Sequence, residues 1–274
     1  MIKYAYVLVT KILLIIIIAA FIFAIEKVYS RDIASMFIIK TNGVRFNNEN
    51  NFDIGRKLDD AASRIGWKEV NDNTLSFDGR VVSKESFSGF TRIYKQGKTK
   101  TLVINSLGGD AIEAFKIGRI IQNDNLNVEV DGFCVSACAN VMLISGNNIK
   151  VRGIIALHGT AVGRYFSDKS ILAKLNPLHY LVINKATKVE SLFYQGRENA
   201  YAYLIKTNAY VNDFYIPSIQ ELEHVIGKDI QGSIDPRYLC VFKQWPVKIY
   251  ATSNSQFTDY YNPKLAVINH CSNF

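Results

Sequence analysis

Three short stretches of the chain carry residue types that together could do acyl-transfer chemistry. Gly132-Phe-Cys-Val-Ser-Ala-Cys-Ala-Asn140 places Ser136 midway between two cysteines, Ser106-Leu-Gly-Gly-Asp110 carries a glycine pair, and Ile154-Ile-Ala-Leu-His158 ends in an imidazole just before Gly159. A serine hydroxyl becomes a useful nucleophile when a base accepts its proton, and the oxyanion that then develops needs backbone N–H donors. Ser136 is the candidate nucleophile, and His158, 22 residues later, the candidate base. The Gly108-Gly109 turn and the Ala137 amide are the candidate oxyanion donors. Each signal alone has a plainer structural reading: a helix N-cap for Ser136, a tight strand-to-helix turn for the glycines, a strand-end surface residue for His158. His179, His224 and His270 have no comparable setting.

What raises the three together is where the predicted elements put them. The sequence reads as a helix over 54–65, a strand over 75–82 with a turn at Asp78-Gly79, and a helix over 83–95 with Ser83 as N-cap. A buried strand over 101–105 follows, then a helix over 111–122 capped by Asp110, a strand over 126–130, a small-residue helix over 136–145 and a strand over 151–158. Strands alternating with helices at these lengths imply right-handed crossovers and a parallel sheet, hence an α/β fold. All three motifs then fall at strand C-termini of successive units, where open parallel sheets hold their ligands. Residues 167–206 are helix-compatible, interrupted at Asn176-Pro177; a further helix opens at Pro217-Ser218 and closes at Gly227, and the last forty residues read as strand-rich.

The remaining composition narrows the setting. A net charge of +8 is dispersed, with no block of five or six Lys or Arg, which argues against a nucleic-acid patch. Lys3 and Lys11 precede an unbroken apolar run over 12–25, the pattern of a signal peptide with Val28 and Ser30 at the cleavage positions; an uncleaved membrane tether is the alternative. Either outcome puts the rest of the chain outside the cytoplasm, in a periplasmic or similar space. The expected division is 1–30 as signal or anchor, 31–73 as an N-terminal extension, and 74–274 as the α/β domain. Disulfides are allowed there, and Cys134, Cys138, Cys240 and Cys271 permit three pairings: Cys134 with Cys138 in a small ring around Ser136, or each with Cys240 or Cys271. Metal-ligand spacing is absent, and neither a metal nor a cofactor is expected.

The run 103–110, then Gly132 to Cys138, Leu143-Ile-Ser-Gly146 and Ala156-Leu-His158 resemble the Clp-protease/crotonase superfamily, and more closely its exported Clp-like serine peptidase branch. The likeness covers about 75–160. It implies a spiral of β-β-α units, Ser136 as nucleophile, His158 as general base, Gly108, Gly109 and Ala137 around the oxyanion, and a triad acid at Asp213, with Asp229 or Asp235 as substitutes. It also implies a peptide or protein substrate and a homo-oligomer. Leu107 stands where the Clp subunit has proline, the serine lies one residue closer to the glycine matching Gly146, and the flanking cysteines are absent from that cytosolic relative.

The leading expectation is therefore an exported serine hydrolase, with a catalytically silent Clp-like binding or oligomeric module as the alternative. Its Tyr- and Phe-rich segment after His158 could cap the cleft or form an oligomer face. A Ser-Lys dyad and crotonase-type chemistry on acyl-CoA rank behind these, the latter because an exported chain rarely meets that cofactor.

Overall fold

The computed structural model describes residues 49–64, 66–82, 84–160, 177–207, 214–235, 237–238 and 249–251. In chain order these form helix α1 (Glu49–Ala62), strands β1 (Gly66–Asn71) and β2 (Thr74–Asp78), helix α2 (Ser86–Ile93), strand β3 (Thr101–Ser106), helix α3 (Ala111–Asn123) and strand β4 (Asn127–Val135). There follow helix α4 (Cys138–Leu143), wound with the wider π repeat, strand β5 (Ile149–Ala156), helices α5 (Pro177–Phe193) and α6 (Glu198–Lys206), strand β6 (Phe214–Ile216), helix α7 (Ile219–Ile226), and strands β7 (Ile230–Ile234) and β8 (Ile249–Ala251). The predicted export segment, 12–25, lies outside the described residues, and no helix among the described residues is long and apolar enough to cross a membrane.

Six strands form one sheet in the order β1-β2-β3-β4-β5-β7. Only the β1–β2 pair is antiparallel; every other neighbour in this sheet is parallel, so the α/β fold is as expected and the sheet is mostly parallel with one antiparallel edge strand. Parallel strands covered on both faces must be apolar on both, and Leu102, Ile104, Val128, Val130, Val151 and Ile155 are completely buried. α1 and β1, within the stretch read as an extension, are part of this layer. β1 pairs with β2, Lys57 O accepts from Asn105 Nδ2 at 2.8 Å, and Lys57 Nζ meets Asp131 at 2.7 Å.

Several boundaries differ from expectation, each for a local reason. α2 begins at Ser86 rather than at 83, because Ser86 Oγ accepts the Val82 N–H at 2.7 Å and turns the chain before the helix starts; Ser83 itself is outside the described residues. β4 runs on past Val130 to Val135. Asp131-Gly132 looks like a turn in sequence, but Asp131 pairs with Lys57, Gly132 pairs with Gly153 on β5, and the Phe133 N–H donates to Asn105 Oδ1 at 2.9 Å. Asp110 caps α3 by accepting from Glu113 N at 3.0 Å, as predicted. Ser218 caps α7 and Gly227 closes it in the left-handed region, also as predicted.

Candidate active site

Strand register brings the three motifs to one edge. Ser106 at the end of β3 pairs with Cys134 on β4, and Val135 at the end of β4 pairs with Ala156 on β5. The chain therefore leaves β3 as the Gly108-Gly109 turn, β4 as the Ser136 turn and β5 as the Leu157-His158 segment, side by side. Neighbouring strands lie about 4.8 Å apart, so a serine one residue past Val135 and a histidine two residues past Ala156 are within side-chain reach. Ser136 Oγ and His158 Nε2 share a hydrogen bond, and both residues are only 8% exposed. The partner of the hydroxyl is thus an imidazole, not a lysine ammonium.

Ser136 does not cap the following helix with its side chain. Its φ is +58°, a left-handed conformation that a non-glycine residue adopts only when its surroundings hold it. The holding contacts are visible: the Ser136 N–H donates to Ala156 O at 2.9 Å, and Ser136 O accepts the Asn140 N–H at 2.7 Å. This bend lifts Oγ off the strand axis and toward His158. Cys134 and Cys138 are bonded to each other across the turn, which settles one of the three pairings; Cys240 and Cys271 lie outside the described residues.

The glycine pair divides its roles. Gly108 has φ +76°, and a Cβ there would stand 2.3 Å from Val135 O, 2.8 Å from Ser136 Cβ and 2.9 Å from Ala137 N, so only glycine lets this loop lie against the nucleophile turn. Its own N–H is engaged, donating to Ser106 Oγ at 3.0 Å. Gly108 therefore shapes the loop, with its N–H turned to Ser106 rather than left open. Gly109 is fixed from the other side: Val81 N–H donates to Gly108 O at 2.8 Å and Asp110 N–H donates to Val81 O at 2.9 Å. That bridge leaves the Gly109 N–H without a protein acceptor among the described residues, and the same is true of the Ala137 N–H at the start of the next helix. Ala137 follows Ser136 directly and Gly109 follows the glycine that lies against the Ser136 turn, and unengaged amides are the kind of donor that an oxyanion needs.

His158, the candidate base, is positioned from a distant part of the chain. Leu157 and Tyr215 exchange reciprocal backbone hydrogen bonds of 2.8 and 2.7 Å, and the Phe214 ring meets the His158 imidazole edge-on, 5.6 Å between centroids. Tyr215 is itself braced, its hydroxyl donating to Glu221 Oε1 at 2.6 Å beside Tyr203, which donates to the same oxygen at 2.8 Å. Burial and the nearby Tyr215 and Glu221 push the Tyr203 phenol well above its ordinary range, so the Tyr203 hydroxyl stays a protonated donor.

Asp213, the expected triad acid, lies outside the described residues; it immediately precedes Phe214 in the chain. The two substitutes lie along the sheet away from His158. Asp229 precedes Ile230, which pairs with Ile149 at the start of β5, about 30 Å of strand from His158. Asp235 donates its N–H to Gly153 O at 2.8 Å, about 16 Å short of His158, and its carboxylate is held by Arg237 at 2.6 Å.

Residues that the sequence reading passed over complete the site. Asn140, one turn after Ser136, donates from Nδ2 to Gly159 O at 2.6 Å, and its carbonyl accepts from the Tyr194 hydroxyl. Its place four residues after the serine, at the end of the small-residue run, was the available signal. The contacts from Phe214 and Tyr215 had none, because they depend on pairing across more than fifty residues. Neither known family models nor curated proteins give a match to this chain.

Proposed function

We propose that the protein is an exported serine hydrolase of the Clp-like kind, acting on peptide or protein substrates. The observation that carries this reading is the Ser136 Oγ to His158 Nε2 hydrogen bond at a serine held at φ +58°, with unengaged amides at Ala137 and at Gly109 in the neighbouring loop. In this account His158, protonated at Nδ1, accepts the Ser136 proton at Nε2 as Oγ attacks the substrate carbonyl. The Gly109 and Ala137 N–H groups stabilise the oxyanion, the imidazolium returns the proton to the leaving amine, and water then repeats the sequence to release the acid. Asp213 is the proposed orienting acid. The stacked α/β units at the C-terminal edge of a parallel sheet and the motif resemblance support the Clp/crotonase assignment; the apolar run over 12–25 and the Cys134–Cys138 bridge support export, since disulfides persist in oxidising compartments.

Labelling with a fluorophosphonate probe tests this directly. Wild type should be labelled, Ser136→Ala should be silent, and His158→Gln should react slower by about 10³-fold or more. A folded wild type that stays unlabelled, under conditions that saturate a control hydrolase, would favour the binding-module alternative.

A further inference from the structure

Cys134 and Cys138 are both completely buried and joined across the single turn whose central residue is Ser136. A bridge that closes so short a loop removes little chain entropy from the unfolded state compared with one that spans a domain. Its effect is local, and the residue it encloses is the one with the left-handed backbone and the hydroxyl bonded to His158. The ring has one foot in β4, through Cys134, and the other at the first residue of α4.

The hydrogen bonds around the ring show what it controls. Ser136 N–H to Ala156 O, and Asn140 Nδ2 to Gly159 O, tie the nucleophile turn to the β5 segment on either side of His158. Asn140 N–H to Ser136 O ties the helix start back to the turn. These bonds hold the turn from β5 and from the helix. The sulfur–sulfur bond adds the covalent tie between the strand that enters the turn and the helix that leaves it. We infer that the Cys134–Cys138 disulfide is a positioning device for the nucleophile: it sets the backbone angle at Ser136 that brings Oγ to His158, and the dithiol form keeps the fold while losing that register. This deepens the hydrolase reading and rests on it for its catalytic meaning, but the geometric claim can be read without activity.

The test compares oxidised wild type with the Cys134→Ala/Cys138→Ala double variant and with wild type reduced by a water-soluble phosphine. The phosphine is oxidised to its oxide with oxygen from water, and the bridge becomes two thiols. Two readouts are taken: fluorophosphonate labelling rate, and the imidazole ¹⁵N resonances at fixed pH. The chain has four histidines, so loss of one signal in His158→Gln assigns the resonance. Expected are circular dichroism like wild type, a His158 resonance moved to the position seen in Ser136→Ala, and labelling slowed at least tenfold, with reoxidation restoring both in wild type but not in the double variant. A folded double variant with the oxidised wild-type His158 resonance would overturn the inference. So would loss of the sheet signal in step with the His158 change in both the variant and the reduced protein, because the bridge would then be a general structural tie. If oxidised wild type fails to label yet its His158 resonance still follows the bridge, the hydrolase reading falls and the positioning role stands.

Discussion

At Ser136 the side chain and the backbone are set by different neighbours, and the distinction decides which substitutions are informative. Ser136→Ala removes only the hydroxyl, because the turn is held by main-chain bonds to Ala156 and Asn140 and by the Cys134–Cys138 bridge, none of which uses Oγ. For the oxyanion, a side chain at Gly109 is a poor test, since a Cβ there would stand 2.2 Å from Val81 O. Ala137 is better placed: incorporating lactic acid in place of Ala137 changes the amide to an ester and deletes one N–H alone. The expected loss is about 10²–10³ in labelling rate, roughly 3 kcal/mol of transition-state stabilisation, measured against an unchanged thermal midpoint. Gly108→Ala should behave differently, lowering the thermal midpoint as well as the rate, by roughly 1–3 kcal/mol, because strain at φ +76° and the contact with Val135 O add together. Equal stability of Gly108→Ala and wild type in a denaturant titration would contradict the close approach described here.

At the scale of elements, what the sequence made legible and what it hid separate cleanly. Asp110, Ser218 and Gly227 announced helix ends through side-chain capping and left-handed closure, both of which depend on neighbours three or four residues away. The strands leading to Ser106 and His158 were legible as apolar runs, and Ser136 and His158 as their sequels. The continuation of β4 through Asp131-Gly132 was not, because it depends on Lys57, Asn105 and Gly153. Nor was the brace behind His158, in which β6 reaches the base through Leu157–Tyr215 pairing. The brace predicts that Phe214→Ala lowers kcat more than it changes KM, since the ring packs edge-on against His158. An effect confined to KM would argue that Phe214 contacts substrate instead.

For the molecule as a whole, a carboxylate at a strand end need not belong to the site. Asp235 follows β7 level with Gly153 of β5, short of the edge that holds the buried Ser136–His158 pair, and its carboxylate serves stability. Burial alone would raise the Asp235 carboxyl, but the hydrogen bonds and charge of Arg237 carry it below its ordinary value. A carboxyl lowered in the folded state adds stability above its unfolded pKa and loses it as pH falls through the folded one. Asp235→Asn should therefore be less stable than wild type at neutral pH, by under about 1 kcal/mol because the pair is partly exposed, and the two should converge on acidification. A difference that widens in acid would reverse the assignment. The proposed export would tie compartment to chemistry: an oxidising space would sustain the Cys134–Cys138 bridge at Ser136, and the apolar run over 12–25 would be the route to it. The most direct test of the hydrolase account is a crystal structure of the protein after reaction with a fluorophosphonate. The account predicts phosphorus bonded to Ser136 Oγ, with the phosphoryl oxygen within hydrogen-bond distance of both the Gly109 and Ala137 nitrogens. An adduct on another residue, or one on Ser136 whose oxygen faces away from those two amides, would contradict it.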